Sequence, residues 1–109
     1  MLLDEENYAI NDIPHYFKSV YVPDDRFLLI GGLERETALT SSRCFMIDDK
    51  GKVSYTAEMA VPRQYFAIAT DYANDLIYVI GGFNHMSHVL GTFEIFSIRQ
   101  RKWRLCEES

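Results

Sequence analysis

His85 and His88 stand three residues apart in His85-Met86-Ser87-His88, and two imidazoles at that spacing on a loop could share a metal ion. A protein zinc site takes three or four ligands. No Cys-x-x-Cys or His-Glu-x-x-His accompanies the pair, so no metal is assigned and a solvated loop is expected. Cys44 and Cys106 are too few for a disulfide framework and are expected to be reduced and inert. Asp24-Asp25 and Asp48-Asp49 put carboxylates side by side. Adjacent strand residues point to opposite faces, so these are read as turn residues and not as an acid–base pair. There is no Gly-x-Ser-x-Gly elbow and no Gly-x-Gly-x-x-Gly opening a helix. No catalytic residue and no cofactor is assigned, and the chain is expected not to be an enzyme.

The residues left over suit recognition. Arg35, Arg43, Arg63, His85, His88 and Asn84 are polar or cationic, and His15, Tyr16 and Tyr65 lie close to them in the pattern described next. Arginine meets carboxylates bidentately, and arginine and aromatics dominate interface hot spots. The set is therefore read as a binding rim for a protein partner, specifically an acidic peptide segment. Glu34 and Glu36, which flank Arg35, count against that reading.

These residues can act together only if the fold brings them to one end. Gly31-Gly32 and Gly81-Gly82 stand fifty positions apart. Each doublet stops an apolar, β-favouring run, Arg26-Phe27-Leu28-Leu29-Ile30 and Leu76-Ile77-Tyr78-Val79-Ile80, as a buried strand with a defined end would require. Asp24-Asp25 and Asn74-Asp75 precede the runs as turn formers. Tyr16-Phe17 answers Tyr65-Phe66 at an offset of 49, and Ile13-Pro14 answers Val61-Pro62 at 48. Downstream, Cys44-Phe45-Met46-Ile47 is aligned with Glu94-Ile95-Phe96-Ser97, and Val53 with Trp103. A tandem repeat of about fifty residues follows.

The stretch from Met59 to Trp103 resembles a kelch repeat. It supplies Pro62-Arg63, an apolar strand, Gly81-Gly82, Glu94, Phe96 and, seven residues on, Trp103. The first copy is similar but degenerate, with His15 for the arginine, Met46 for the aromatic and Val53 for the tryptophan. The resemblance implies an all-β fold of two four-stranded antiparallel blades belonging to an incomplete or oligomer-completed β-propeller. Residues 1–13 are read as a lead-in or lent strand, 14–58 as the first repeat and 59–109 as the second. Strands are expected near 16–21, 26–31, 43–48 and 52–57, then 65–70, 76–81, 92–98 and 102–106. Gly31, Gly32, Gly81, Gly82, Glu94, Phe96 and Trp103 are implied to be structural. In such blades the loop after the second strand and the connection between blades lie at one end, which gathers the recognition set there. The family implies an interaction scaffold or adaptor. Its enzymes, a metal-dependent oxidase and sugar-isomerase types among them, are the alternative.

Composition agrees with a folded domain. Of 109 residues 48% are hydrophobic and 14% aromatic, which excludes the disordered class. The net charge of −5 argues against nucleic acid, since phosphate grip needs a basic surface. No apolar run exceeds five residues, far short of a membrane span, and the acidic N-terminus is unlike a signal peptide. A cytoplasmic location and no membrane partner are therefore expected. Two blades fall short of the four to eight of a propeller, so a fragment, several copies or another chain is expected to supply further blades.

Overall fold

The computed structural model describes residues 10–84, 86 and 88–107. Eight strands form two antiparallel sheets in simple up-and-down order. The first blade holds β1 (Lys18–Val22), β2 (Arg26–Ile30), β3 (Cys44–Ile47) and β4 (Val53–Tyr55). The second holds β5 (Ala67–Asp71), β6 (Leu76–Ile80), β7 (Thr92–Ser97) and β8 (Lys102–Glu107). Two single 3-10 turns, Ile10–Asp12 and Tyr72–Asn74, are the helical structure of the described residues. None of these is a helix long and apolar enough to cross a membrane.

Local chemistry sets the hairpins. Asp24 and Asp25 both take left-handed backbone angles, φ 73° and 59°, which Asp tolerates better than most residues. In the second hairpin, Asp48 Oδ1 accepts the amides of Lys50 and Lys52 at 3.0 and 2.9 Å. Those bonds hold the Asp48 carboxyl below the usual carboxylate range, the Lys52 amide most strongly. The inner strands begin two residues later than the apolar pattern suggests, at Lys18 and Ala67. The cause is that Tyr16 and Tyr65 sit at φ 59° and 57° and so break the extended chain.

The strand ladders correct the alignment of the two copies. Ile30 pairs with Cys44, whereas Ile80 pairs with Phe93, so β3 and β7 are related by 49 residues, not 50. Phe45 therefore occupies the place of Glu94, and Ile47, not Met46, that of Phe96. The same holds upstream. His15 bridges Leu33, and Gln64 bridges Phe83. His15 thus answers Gln64, and Pro14 answers Arg63. Val53 does face the position of Trp103, through Ile47 and Phe96 respectively.

The main core lies between the blades. Leu28, Ile30, Cys44 and Met46 project from one face of the first blade. Phe66, Ile77, Val79 and Phe96 meet them from the second. Burying such side chains contributes roughly 1.5–3 kcal/mol each. Trp103 packs against this cluster half-buried, 4.9 Å from the Phe96 ring centre, and donates its indole N–H to Ala57 O at 3.2 Å. A smaller cluster of Ile13, Leu29, Phe45 and Val53 covers part of the first blade's other face. The expected extended lead-in is instead a 3-10 turn over Ile10–Asp12, followed by Ile13 packed on that face; the residues before Ile10 lie outside the described part.

Candidate functional site

Both β2–β3 and β6–β7 connections fold back on the segment that precedes their blade. His15 and Leu33 exchange backbone bonds at 2.8 and 2.7 Å, as Gln64 and Phe83 do at 3.0 and 2.9 Å. Glycine is needed where these segments cross. At Gly32 (φ 105°) a Cβ would run into the His15 carbonyl, and at Gly82 (φ 96°) it would lie 2.7 Å from Gln64 O. These crossings make the rim of each blade.

Above the first blade the rim is a cleft of about 570 Å³ lined by Asn11, Asp12, Glu34, Arg35, Glu36, Thr37 and Arg43. Arg43 grips Glu34 bidentately, Nε to Oε2 at 2.8 Å and Nη2 to Oε1 at 2.7 Å, and also donates to Asp12 O at 3.0 Å. Ser41 donates to the same carboxylate at 2.6 Å. Burial pushes the Glu34 carboxyl up, but the Arg43 and Ser41 hydrogen bonds and the Arg43 charge outweigh it, and the pKa falls below the ordinary value. Arg43 also lies 5.1 Å from the Phe45 ring centre. It is therefore a rim builder more than a free cation. Arg35 donates Nε to Ile13 O at 2.7 Å and has Nη1 2.7 Å from His15 Nε2. A guanidinium only donates, so that imidazole nitrogen is the acceptor. The outer edge of Arg35 faces solvent, and His15 stacks edge-on against Tyr16 at 5.8 Å.

The second blade's rim differs. Asn84 Oδ1 accepts the amides of Met86 and His88 at 2.9 and 3.0 Å, so its carbonyl end shapes its own loop. His88 is exposed; His85 lies outside the described residues. Tyr65 projects beside Phe83, ring centres 6.5 Å apart.

Arg63 is not on the rim at all. Its side chain is fully buried, as is that of Glu94, and the two are paired at 3.2 Å. Arg63 also donates to Gly81 O and Thr92 O, both at 2.9 Å, and to Thr92 Oγ1 at 2.8 Å. Glu94 in turn accepts the amides of Ala60 and Val61 at 2.7 and 3.0 Å. The pair clamps the inter-blade segment onto β6 and β7, and this use of every donor removes Arg63 from partner recognition. The first blade has Pro14 and Phe45 at these two places, both buried. Loss of the charge and of its countercharge together leaves neither stranded.

Sequence reasoning missed Asp12 and Glu34 as cleft residues and Ser41 as the buried hydroxyl that holds Glu34. Their signal lay in Glu34, nine residues before Arg43 across a loop, which only the fold turns into a pair. Among the described residues no three His, Cys, Asp or Glu side chains gather where they could hold a metal. Cys44 is buried and its thiol is pushed up to about 12, chiefly by desolvation; Cys106 is half-buried in β8.

No curated protein matches the chain. Residues 68–108 match the family model of the kelch motif, from inside β5 through β8. The second blade therefore carries a kelch motif.

Proposed function

We propose that the chain is a non-enzymatic interaction module that binds a segment of a protein partner on the rim of its blades. The observation that carries this is the pair Tyr16 and Tyr65. They occupy equivalent places in the two blades, are 67% and 68% exposed, and are both held left-handed. A left-handed non-glycine residue costs roughly 1–2 kcal/mol. Strain kept twice at an exposed aromatic is more readily explained by use than by stability. The kelch motif supports an interaction role in general terms.

Next to Tyr16 the free edge of Arg35 suits a carboxylate on the partner. Asp12 and Glu36 share the cleft, so the segment this surface fits is one with a carboxylate for Arg35 and polar or basic neighbours. It is not a uniformly acidic run. Arg43 contributes by holding Glu34, His88 by exposure beside the second loop, and Asn84 by shaping that loop.

The test is a partner captured by pull-down, then Tyr16→Gly and Tyr65→Gly. Glycine accepts positive φ at no steric cost. The reading expects folding stability unchanged within about 1 kcal/mol and affinity reduced at least tenfold. Full affinity in the double variant would refute it.

A further inference from the structure

The strand ends opposite the rim carry a second cleft. The β1–β2, β3–β4 and β7–β8 turns lie at that end, because successive strands alternate in direction. A recess of about 380 Å³ opens there, lined from both blades, and Arg26, Lys52 and Arg101 are its cations. Each comes from a different hairpin: Arg26 opens β2, Lys52 precedes β4 and Arg101 precedes β8. Asp48 is the one carboxylate that shares the recess. The balance is the reverse of the rim cleft, where Asp12, Glu34 and Glu36 face Arg35 and Arg43. It also runs against the net charge of −5.

Within the described residues these cations have no countercharge in contact. The ion pairs there are Arg43 with Glu34 and Arg63 with Glu94. Asp48 turns Oδ1 to the Lys50 and Lys52 amides; the Lys52 amide does most to hold its carboxyl low, and the Lys50 and Lys52 charges add less. Arg26 gives Nε to Pro23 O at 3.1 Å, which leaves both of its terminal nitrogens. Lys52 and Arg101 donate no side-chain hydrogen bond among the described residues, and the Ser54 hydroxyl on the same wall makes none either. Tyr55 differs, since its hydroxyl is given to Glu58 at 2.6 Å.

The backbone at Arg101 is a second, independent sign. Arg101 is left-handed, φ 56°. The matching place in the first blade, two residues before Val53 as Arg101 is two before Trp103, is Gly51 at φ 83°. Glycine takes that conformation without steric cost. The second blade keeps an arginine there whose exposed side chain bonds nothing among the described residues. Strain kept beneath an idle cation that lines a cleft is better explained by use than by stability.

We infer that this second cleft binds a phosphorylated side chain of a protein partner, held by Arg26, Lys52, Arg101 and the Ser54 hydroxyl. Donors that come from separate turns suit a phosphate, whose terminal oxygens accept from several directions at once. A carboxylate offers two oxygens in one plane and would leave part of the set unused. The partner is a peptide because β4, the outermost strand of its sheet, borders the cleft at Ser54 and Tyr55. A segment laid along that edge can add main-chain bonds to the phosphate contacts. A recess floored by the buried Met46 does not suit a lipid surface, which is met by projecting apolar anchors.

The test is an NMR titration of the isotope-labelled full chain with four probes: a peptide pool with a central phosphoserine and random flanks, the same pool with serine, inorganic phosphate, and phosphatidylserine vesicles. The phosphoserine pool should shift the Arg26, Lys52, Ser54 and Arg101 amides to saturation, at a concentration about tenfold below that needed for inorganic phosphate, since the β4 edge adds its own bonds. The serine pool should leave them in place. Arg101→Gly keeps the left-handed turn, as Gly51 does, and Lys52→Gln keeps most of the stem. Each should weaken the phosphopeptide about tenfold, the loss of one charge-assisted hydrogen bond. No shift with the phosphoserine pool, or an equal shift with the serine pool, overturns the inference. Inorganic phosphate that binds as tightly as the pool overturns the peptide assignment, and shifts with vesicles alone would make this a membrane site. Full affinity in either variant overturns it as well. The Tyr16→Gly and Tyr65→Gly variants should leave these shifts unchanged, so failure of the rim reading and failure of this one are read apart.

Discussion

Replacing Glu94 with Leu strands the Arg63 guanidinium in a site with no solvent contact. It also orphans the Ala60 and Val61 amides. Removing one partner of a buried pair costs roughly 3–5 kcal/mol, and each lost hydrogen bond at the part-buried Ala60 and Val61 amides adds about 0.5–1.5 kcal/mol. A domain of this size has roughly 5–15 kcal/mol in total, so Glu94→Leu should lie near the limit of folding. Arg63→Met with Glu94→Leu removes the stranded charge and recreates the apolar solution that Pro14 and Phe45 provide in the first blade. The Ala60 and Val61 amides and the Gly81 and Thr92 carbonyls still lose partners, so the double variant should stay below the unmodified chain. It should nonetheless exceed Glu94→Leu, with a coupling energy of about 2 kcal/mol or more, within the range seen for contacting residues. The assay is urea unfolding followed by the fluorescence of the single tryptophan, Trp103. Additive effects, or a loss below about 1 kcal/mol in Glu94→Leu, would refute the clamp.

Trp103→Ala should cost about 2 kcal/mol, less than the 3–5 of a fully buried aromatic, because the indole is half-buried; a midpoint unchanged in urea would place the ring in solvent. Gly82→Ala should destabilise clearly more than Gly51→Ala, since both have positive φ but only Gly82 has a carbonyl within 2.7 Å of the added carbon; equal midpoints would contradict the crossing geometry. Glu34 has a lowered folded pKa, so its contribution is present above the unfolded carboxylate value, about 4.3. That contribution is lost as pH falls through the folded value. Acid titration should therefore loosen the Ser41 and Arg43 amides by exchange measurements, and Glu34→Gln should abolish the pH dependence. Maleimide at neutral pH should label Cys106 and spare Cys44, whose thiolate is scarce and covered; equal labelling would mean the seam opens.

Much of the fold was legible because glycine doublets, turn residues and apolar runs carry local rules. Gly31-Gly32 and Gly81-Gly82 end strands wherever they are placed. The register was less legible. β3 is apolar throughout, so sliding it by one residue against β7 exchanges two plausible faces. Only the pairing of Cys44 with Ile30 and of Phe93 with Ile80 decides it. The site was read least well. Arg63, Arg43 and Arg35 look alike in sequence, but one is a buried clamp, one is tied to Glu34, and one keeps an edge for solvent. What separates them is the position of carboxylates and carbonyls many residues away. Tyr16 and Tyr65 were visible as a repeated pair; their left-handed conformation was not.

The central claim is that the two blades meet in one packed seam, crossed by the backbone bond from Gly32 to Arg63. Amide exchange at two equivalent residues tests it most directly. Gly32 N is already bonded to Arg63 O, so its exchange should be slow at every protein concentration. Gly82 N, which has no acceptor among the described residues, should exchange at least tenfold faster. Gly32 and Gly82 amides that exchange at the same rate would contradict the account.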